Sequence, residues 1–188
     1  MKKISFLIVF GFSLFVTSSL SAQQLFLKAG TLTQQGSIYK GFENYVQISG
    51  VQYGVEALTS YKSTGAAVGK ANFGEIVITK NVDILTNELL RSISKGTLYA
   101  LMEIVSTKNT ADGQKVSHKI ELKNVYVTNV SNSAVEGCPD DCAGLEESVK
   151  FVYKSIRITT YSTNVKTGVL TANLNPFVFD VTTMSSTF

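Results

Sequence analysis

Residues 116–130, VSHKIELKNVYVTNV, constrain the fold more than any other stretch of the chain. Val116, His118, Ile120 and Leu122 fall on one side, and Ser117, Lys119, Glu121 and Lys123 on the other. A period of two is the signature of a strand with one face buried and one face wet. After Asn124 the apolar positions become Val125 and Val127, so the register jumps by one. A one-residue slip turns every side chain over, and a bulge at Lys123–Asn124 would keep both halves apolar toward the interior. The same jump recurs between Tyr153 and Ile156 in VKFVYKSIRITTY, residues 149–161.

Other segments agree. LFLKAG (25–30) is a short apolar strand ending in glycine, and YVQISGVQYGV (45–55) alternates but is interrupted by Gly50 and Gly54. Glycine inside a strand marks a bulge or a close backbone approach. EIVITK (75–80) is apolar enough for burial on both faces, and TLYALMEIVS (97–106) is a further strand. Asp112–Gly113 is a hairpin-turn pair. LTSYKSTGAAVGKANFG (58–74), rich in small and polar residues, reads as a mobile connection within one domain, and NPFVFDVTT (175–183) as an edge strand. Short strands, hairpins and bulges predict a mainly β fold, an antiparallel two-sheet barrel or sandwich.

Against this background VDILTNELLRSISKG (82–96) reads as a helix over about Thr86–Lys95. Asp83 and Thr86 are both cap residues by type, Glu88 falls in the expected first turn, and Arg91 and Lys95 in the last. Leu85, Leu89, Leu90 and Ile93 recur at three- and four-residue steps and form one apolar stripe. Gly96 is placed to end the helix in the left-handed conformation. So short a helix does not persist alone in water, so its stripe is expected to pack on the sheet.

The chain begins MKKISFLIVFGFSLFVTSSLSAQQ. Lys2 and Lys3, an uncharged apolar run from Ile4 to Val16 and a small, polar stretch ending near Ala22 have the layout of a secretory leader, and the run is short for a membrane span. The expected division is a leader over 1–22, a barrel over 23–170 and a tail over 171–188. Export to the periplasm, the cell surface or the medium follows, with no stable membrane anchor. The 188 residues carry 17 basic and 14 acidic side chains; without Lys2 and Lys3 the balance is 15 to 14, a charge of +1. No Lys/Arg block follows the leader, which argues against nucleic acid as a partner. Cys138 and Cys142, in EGCPDDCAG, read as a local disulfide in an oxidising compartment, with a redox pair or free thiols as alternatives.

Catalytic patterns are sparse. His118 has no second histidine with which to share a metal or a proton relay and reads as structural. Asp140/Asp141 and Glu146/Glu147 are adjacent pairs, which read as solvated loop charge. GAAVGKANFG lacks the spacing and the Ser/Thr of a phosphate loop, and there is no nucleophile elbow or dinucleotide fingerprint. No catalytic, metal or cofactor-binding residue is expected, and no cofactor.

The succession LFLKAG, YVQISGVQYGV, GKANFGEIVITKNVDILTNELLRSISKGTLYALMEIV, KIELKNVYVTNV and LEESVKFVYKSIRITTY resembles the Hcp family, the tube proteins of type VI secretion. The likeness is most specific at Ile76–Thr79, Lys80, Asp83, Thr86, Leu89/Leu90 and Gly96, and in the Glu-Ser start and aromatic end of the segment closing at Tyr161. It implies a barrel with one flanking helix, assembled into six-membered rings that stack into a tube. The lumen would hold effectors, with spike and sheath components as further partners. Asp83, Thr86 and the 58–74 segment are the interface residues it suggests. Family subunits are loaded from the cytoplasm, so the leader raises an alternative: an exported Hcp-fold binding or adhesion module working outside such a machine.

Overall fold

The structure, a computed structural model, describes residues 23–30, 32, 39–62, 65–110, 113–134 and 145–188. The leader, Cys138, Cys142, Asp140 and Asp141 lie outside the described residues. The elements run β1 (Gln24–Ala29), β2 (Val46–Ile48), β3 (Gly50–Gln52), β4 (Val55–Lys62), β5 (Gly65–Phe73), β6 (Ile76–Asn81), α1 (Ile84–Lys95), β7 (Tyr99–Thr110), β8 (Gly113–Ser133), β9 (Glu146–Val152), β10 (Ser155–Thr163), β11 (Leu170–Ala172) and β12 (Phe177–Asp180).

The strands hydrogen-bond in the order β2-β1-β7-β8-β9-β6-β3, with every pairing antiparallel. β2 and β3 are the two halves of one segment, parted only by Ser49, so the last strand in this order continues into the first and the barrel closes. Ser49 N–H donates to the Thr79 carbonyl at 2.7 Å and carries the pairing across the break. Gly50 sits opposite Thr79, where a Cβ would lie 2.6 Å from Thr79 Oγ1. This glycine is a close approach between strands.

The register jumps are corners. β8 pairs with β10 over 118–123 and with β9 over 126–133, and Asn124 between them takes a φ of 51°. Asparagine tolerates this left-handed region better than most side chains. The turn keeps Leu122 and Val125 both buried although they are an odd three positions apart. On the neighbouring strand, the break between Val152 and Ser155 does the same, and Lys154 N–H bonds the Lys123 carbonyl at 3.0 Å, so both strands bend together.

The main core fills the barrel with side chains such as Leu27, Ile78, Met102, Ile120, Phe151 and Ile156. A second, smaller cluster lies on another face of the sheet, where Phe26 and Val105 are covered by Phe42, its ring stacked on Phe26 at 4.7 Å. Fully burying one such aliphatic or aromatic side chain contributes about 1.5–3 kcal/mol, so the larger cluster dominates.

Two strand expectations change and one holds. The 58–74 segment is no loose connection; β4 and β5 form a hairpin that, among the described residues, pairs only with itself. Its small residues removed the alternating pattern by which strands are recognised. β6 is buried on one face only, at Ile76, Ile78 and Lys80, while Val77 and Thr79 are half-covered. The C-terminal segment is an edge strand as expected: β12 pairs with β10, Phe179 opposite Ile156, and β11 pairs farther along β10.

Candidate assembly surface

The helix begins two residues earlier than its sequence pattern suggests. Asp83 is the N-cap, its Oδ1 accepting from Leu85 N–H at 2.9 Å. Thr86 is the third helical residue, and its Oγ1 accepts from Asp83 N–H at 3.3 Å, closing a reciprocal capping box. Glu88 therefore lies past the first turn, which holds no acidic residue. Gly96 ends the helix at φ 60°, ψ 44° as expected.

Leu85, Thr86, Leu89 and Ser92 are the buried helical residues. The expectation that Leu90 and Ile93 are core is corrected, since they remain 44% and 37% exposed. The buried stripe turns through Ser92, whose hydroxyl bonds both the Glu88 carbonyl and the hydroxyl of Tyr99 at the start of β7. Centring the contact on Leu85, Leu89 and Ser92 leaves Leu90 and Ile93 on its flank. Ile84, immediately after the cap, is 67% exposed. On the barrel wall, Tyr126 of β8 and Val152 of β9 form an exposed cross-strand apolar pair.

Beneath the helix start lies a feature that sequence reasoning missed. Lys80 and Glu147 are directly opposite one another on β6 and β9, and both are buried. Lys80 Nζ lies 3.3 Å from Glu147 Oε1 and 2.7 Å from Asp83 Oδ1, and it donates to the Asn81 carbonyl at 2.7 Å. The ammonium thus ties the end of β6, the helix cap and the start of β9 together. Glu147 is not the solvated loop charge expected; among the described residues its carboxylate has the ion contact to Lys80 and no hydrogen bond. The available signal was the alternation Ile76, Ile78, Lys80, which places the lysine on the buried face.

The hairpin β4–β5 leaves the barrel as an arm. Gly74 N–H bonds the Gly54 carbonyl at 3.1 Å across its base, and the Tyr153 hydroxyl donates to the Gly74 carbonyl at 3.3 Å. Burial pushes the Tyr153 phenol up to about 12, so it keeps that proton throughout the neutral range. At the same region His118 faces Tyr53, ring centroids 6.5 Å apart, and burial holds its imidazole below the usual value. Protonating that half-buried ring is disfavoured, which fits a packing role.

Across one face of the sheet, Lys28, Glu103, Glu121 and Arg157 stand in register on β1, β7, β8 and β10. Lys119 bridges Glu103 at 3.5 Å and Glu121 at 3.2 Å, and Arg157 reaches Glu121 at 3.5 Å. The Tyr45 hydroxyl donates to Glu103 at 2.8 Å, and its pKa is raised by burial and then by that carboxylate. These partly exposed charges neutralise one another along the row.

Residues 26–160 match the family model described as "Type VI secretion system effector, Hcp". Comparison with curated proteins finds no match. Among solved structures the chain is similar to one described as a type six secretion system protein, at 17% identity and a TM-score of 0.77, covering 87% of this chain and 99% of that one. Hcp1 from Salmonella typhimurium matches at 14% identity and a TM-score of 0.67 over 88% and 99% of the two chains. A type VI secretion system effector from Yersinia pestis matches at 15% identity and a TM-score of 0.60 over 84% and 99%. At such identities these structures establish a common fold, while the family match spans both register corners, the arm, the helix and the Lys80–Glu147 pair. The chain therefore belongs to the Hcp family of type VI secretion proteins.

Proposed function

We propose that this chain is a non-catalytic ring subunit that closes as a homohexamer, stacks into a tube and holds small effectors in its lumen. The observation that carries the reading is the arm: among the described residues β4 and β5 pair only with each other, which leaves both outer edges for another chain. Unpaired strand edges recruit partners. A head-to-tail contact that closes on itself uses one surface of each subunit against a different surface of the next. The arm supplies one side. The helix start supplies the other, with Asp83 and Thr86 fixing its geometry and Ile84, Leu90 and Ile93 giving it apolar area. Spike and sheath components are the further partners of such a tube.

The leader-like start supports a second reading, in which the same fold acts after export as a surface or periplasmic binding module. Cys138 and Cys142 then form a disulfide that staples their turn. Native mass spectrometry of the natural protein over a concentration series tests both readings. A species of six subunits that is lost when residues 56–72 are replaced by a short turn supports the ring. A strict monomer at the highest concentration, with the leader removed and the mass two hydrogens short, supports the exported module instead.

A further inference from the structure

Phe73, the last residue of β5, stacks on Phe179 of β12 with centroids 4.4 Å apart and planes 19° from parallel. Phe177 extends the stack, 6.1 Å from Phe73 and 6.3 Å from Phe179, all three rings lying within 21° of parallel. These are the ring–ring contacts the arm makes with the C-terminal strand, more than a hundred residues later in the chain. β12 is itself held in place: it pairs with β10 from Ser155 to Ile158, and Asp180 anchors the following turn through the backbone N–H groups of Thr182 and Thr183, both at 2.9 Å. Ser155 adds a hydroxyl bond to Asp180 at 3.1 Å. The arm leaves the barrel at Gly54 and returns at Gly74, and glycine at both ends offers little steric resistance to a change of direction.

From this we infer that β12 is a latch: Phe177 and Phe179 clamp the base of the β4–β5 arm to the barrel and set the direction in which the arm projects. Aromatic pairs in offset or stacked arrangements add to what their buried area contributes, and here they join Phe73 and Phe179 where both also pack on the main core. The C-terminal strand thereby controls a surface formed much earlier in the chain. The latch is independent of what the arm binds; only its consequence for assembly rests on the ring reading above.

Hydrogen exchange by mass spectrometry on the full chain tests it. Phe177→Ala, at a half-exposed position on an edge strand, should speed exchange in peptides covering 54–57 and 71–74 by about threefold to tenfold, the range given by losing one aromatic pair. Peptides covering 99–110 should exchange as in the parent. Phe177→Tyr keeps the ring and should restore parent rates at the arm base. Phe73→Leu removes the stack from the arm's side and should reproduce the alanine result, which covers the case in which Phe177→Ala does not fold. Unchanged exchange at the arm base in a folded Phe177→Ala or Phe73→Leu protein overturns the latch. Native masses of the same samples separate the two ideas. Faster exchange with loss of the six-subunit species supports both; faster exchange with that species intact keeps the latch and removes the arm from the ring contact.

Discussion

Replacing Lys80 by methionine removes the charge from the buried corner while nearly keeping the side-chain volume. Glu147 would then be a carboxylate with no exposed surface and neither a cation nor a hydrogen-bond donor among the described residues. Removing one partner of a buried ion pair costs about 3–5 kcal/mol, because the other charge stays desolvated. The bond to the Asn81 carbonyl and the contact to Asp83 are lost as well, but Asp83 is partly exposed and keeps its bond from Leu85 N–H. Glu147→Leu should cost less, about 1–3 kcal/mol, since Lys80 retains two acceptors at 2.7 Å. The double variant is decisive. With both charges gone and apolar groups in their place, its loss should be at least about 2 kcal/mol smaller than the two single losses combined. Urea unfolding at one fixed protein concentration reads this directly. With a slope of about 2 kcal/mol per molar, Lys80→Met should lower the midpoint by about 1.5–2.5 M, and Glu147→Leu in the Lys80→Met background should recover part of it. Strictly additive losses would show that Lys80 and Glu147 do not interact in the folded protein and would refute the three-way tie.

Other outcomes follow from individual contacts. Leu89→Ala should cost about 2–5 kcal/mol in the same melts, because its side chain is wholly buried, whereas Ile93→Ala should cost less than about 1 kcal/mol. Equal losses would mean that the helix packs on a different face. Gly50→Ala should destabilise by about 1–3 kcal/mol through the 2.6 Å clash with Thr79 Oγ1. Most of that should be recovered in a Thr79→Ala background, where the next Thr79 atom lies 3.9 Å away, and no recovery would refute the cause. Asp180 is held below the ordinary carboxylate value by the Thr182 hydroxyl and the Thr183 N–H, so its contribution is present above about pH 4 and lost as pH falls through the depressed value. Acid should accordingly loosen β12 at low pH, and Asp180→Asn should flatten that dependence, measured by exchange of peptides covering 177–185.

The corners of the barrel were legible because a buried face enforces its own pattern. The jump after Asn124 and the break between Tyr153 and Ile156 each mark a place where the strand changes partner while its apolar side keeps facing inward. Gly96 and the cap-type residues Asp83 and Thr86 were legible for a local reason, since caps depend on a few neighbouring backbone groups, but that Asp83 caps and Thr86 closes the box from inside the helix was not. The arm was not legible. A strand outside the barrel wall is under no demand to alternate, and GAAVGKANF, rich in small residues, gives no more signal than a loop. Glu147 was missed because its burial is set by a lysine on another strand, 67 positions earlier, and nothing around Glu146–Glu147 announces it. Leu90 and Ile93 were misplaced for a related reason: periodicity shows that a helix has an apolar side, but the sheet beneath decides how wide a strip of that side it covers.

The manner of closure also dictates the sequence of events on the way to the folded state. β7, β8, β9 and β10 are successive in the chain, and the other three all pair with β8, so they can assemble among themselves. β1 can meet β2 early, with Leu25–Leu27 opposite Val46–Ile48, but on its other edge its partners begin at Met102 and end at Thr107, so Gln24 waits there for a residue 83 positions away. Closing a loop of about eighty residues costs roughly 1.8 kcal/mol more in chain entropy than closing one of ten. Pairings so distant slow folding. During synthesis the β1–β2 pair can therefore form well before the β7 strand that it must join has emerged. Until the two join, one edge of β1 and one edge of β7 stay open, and the interval before closure is when one nascent chain is most exposed to pairing with another.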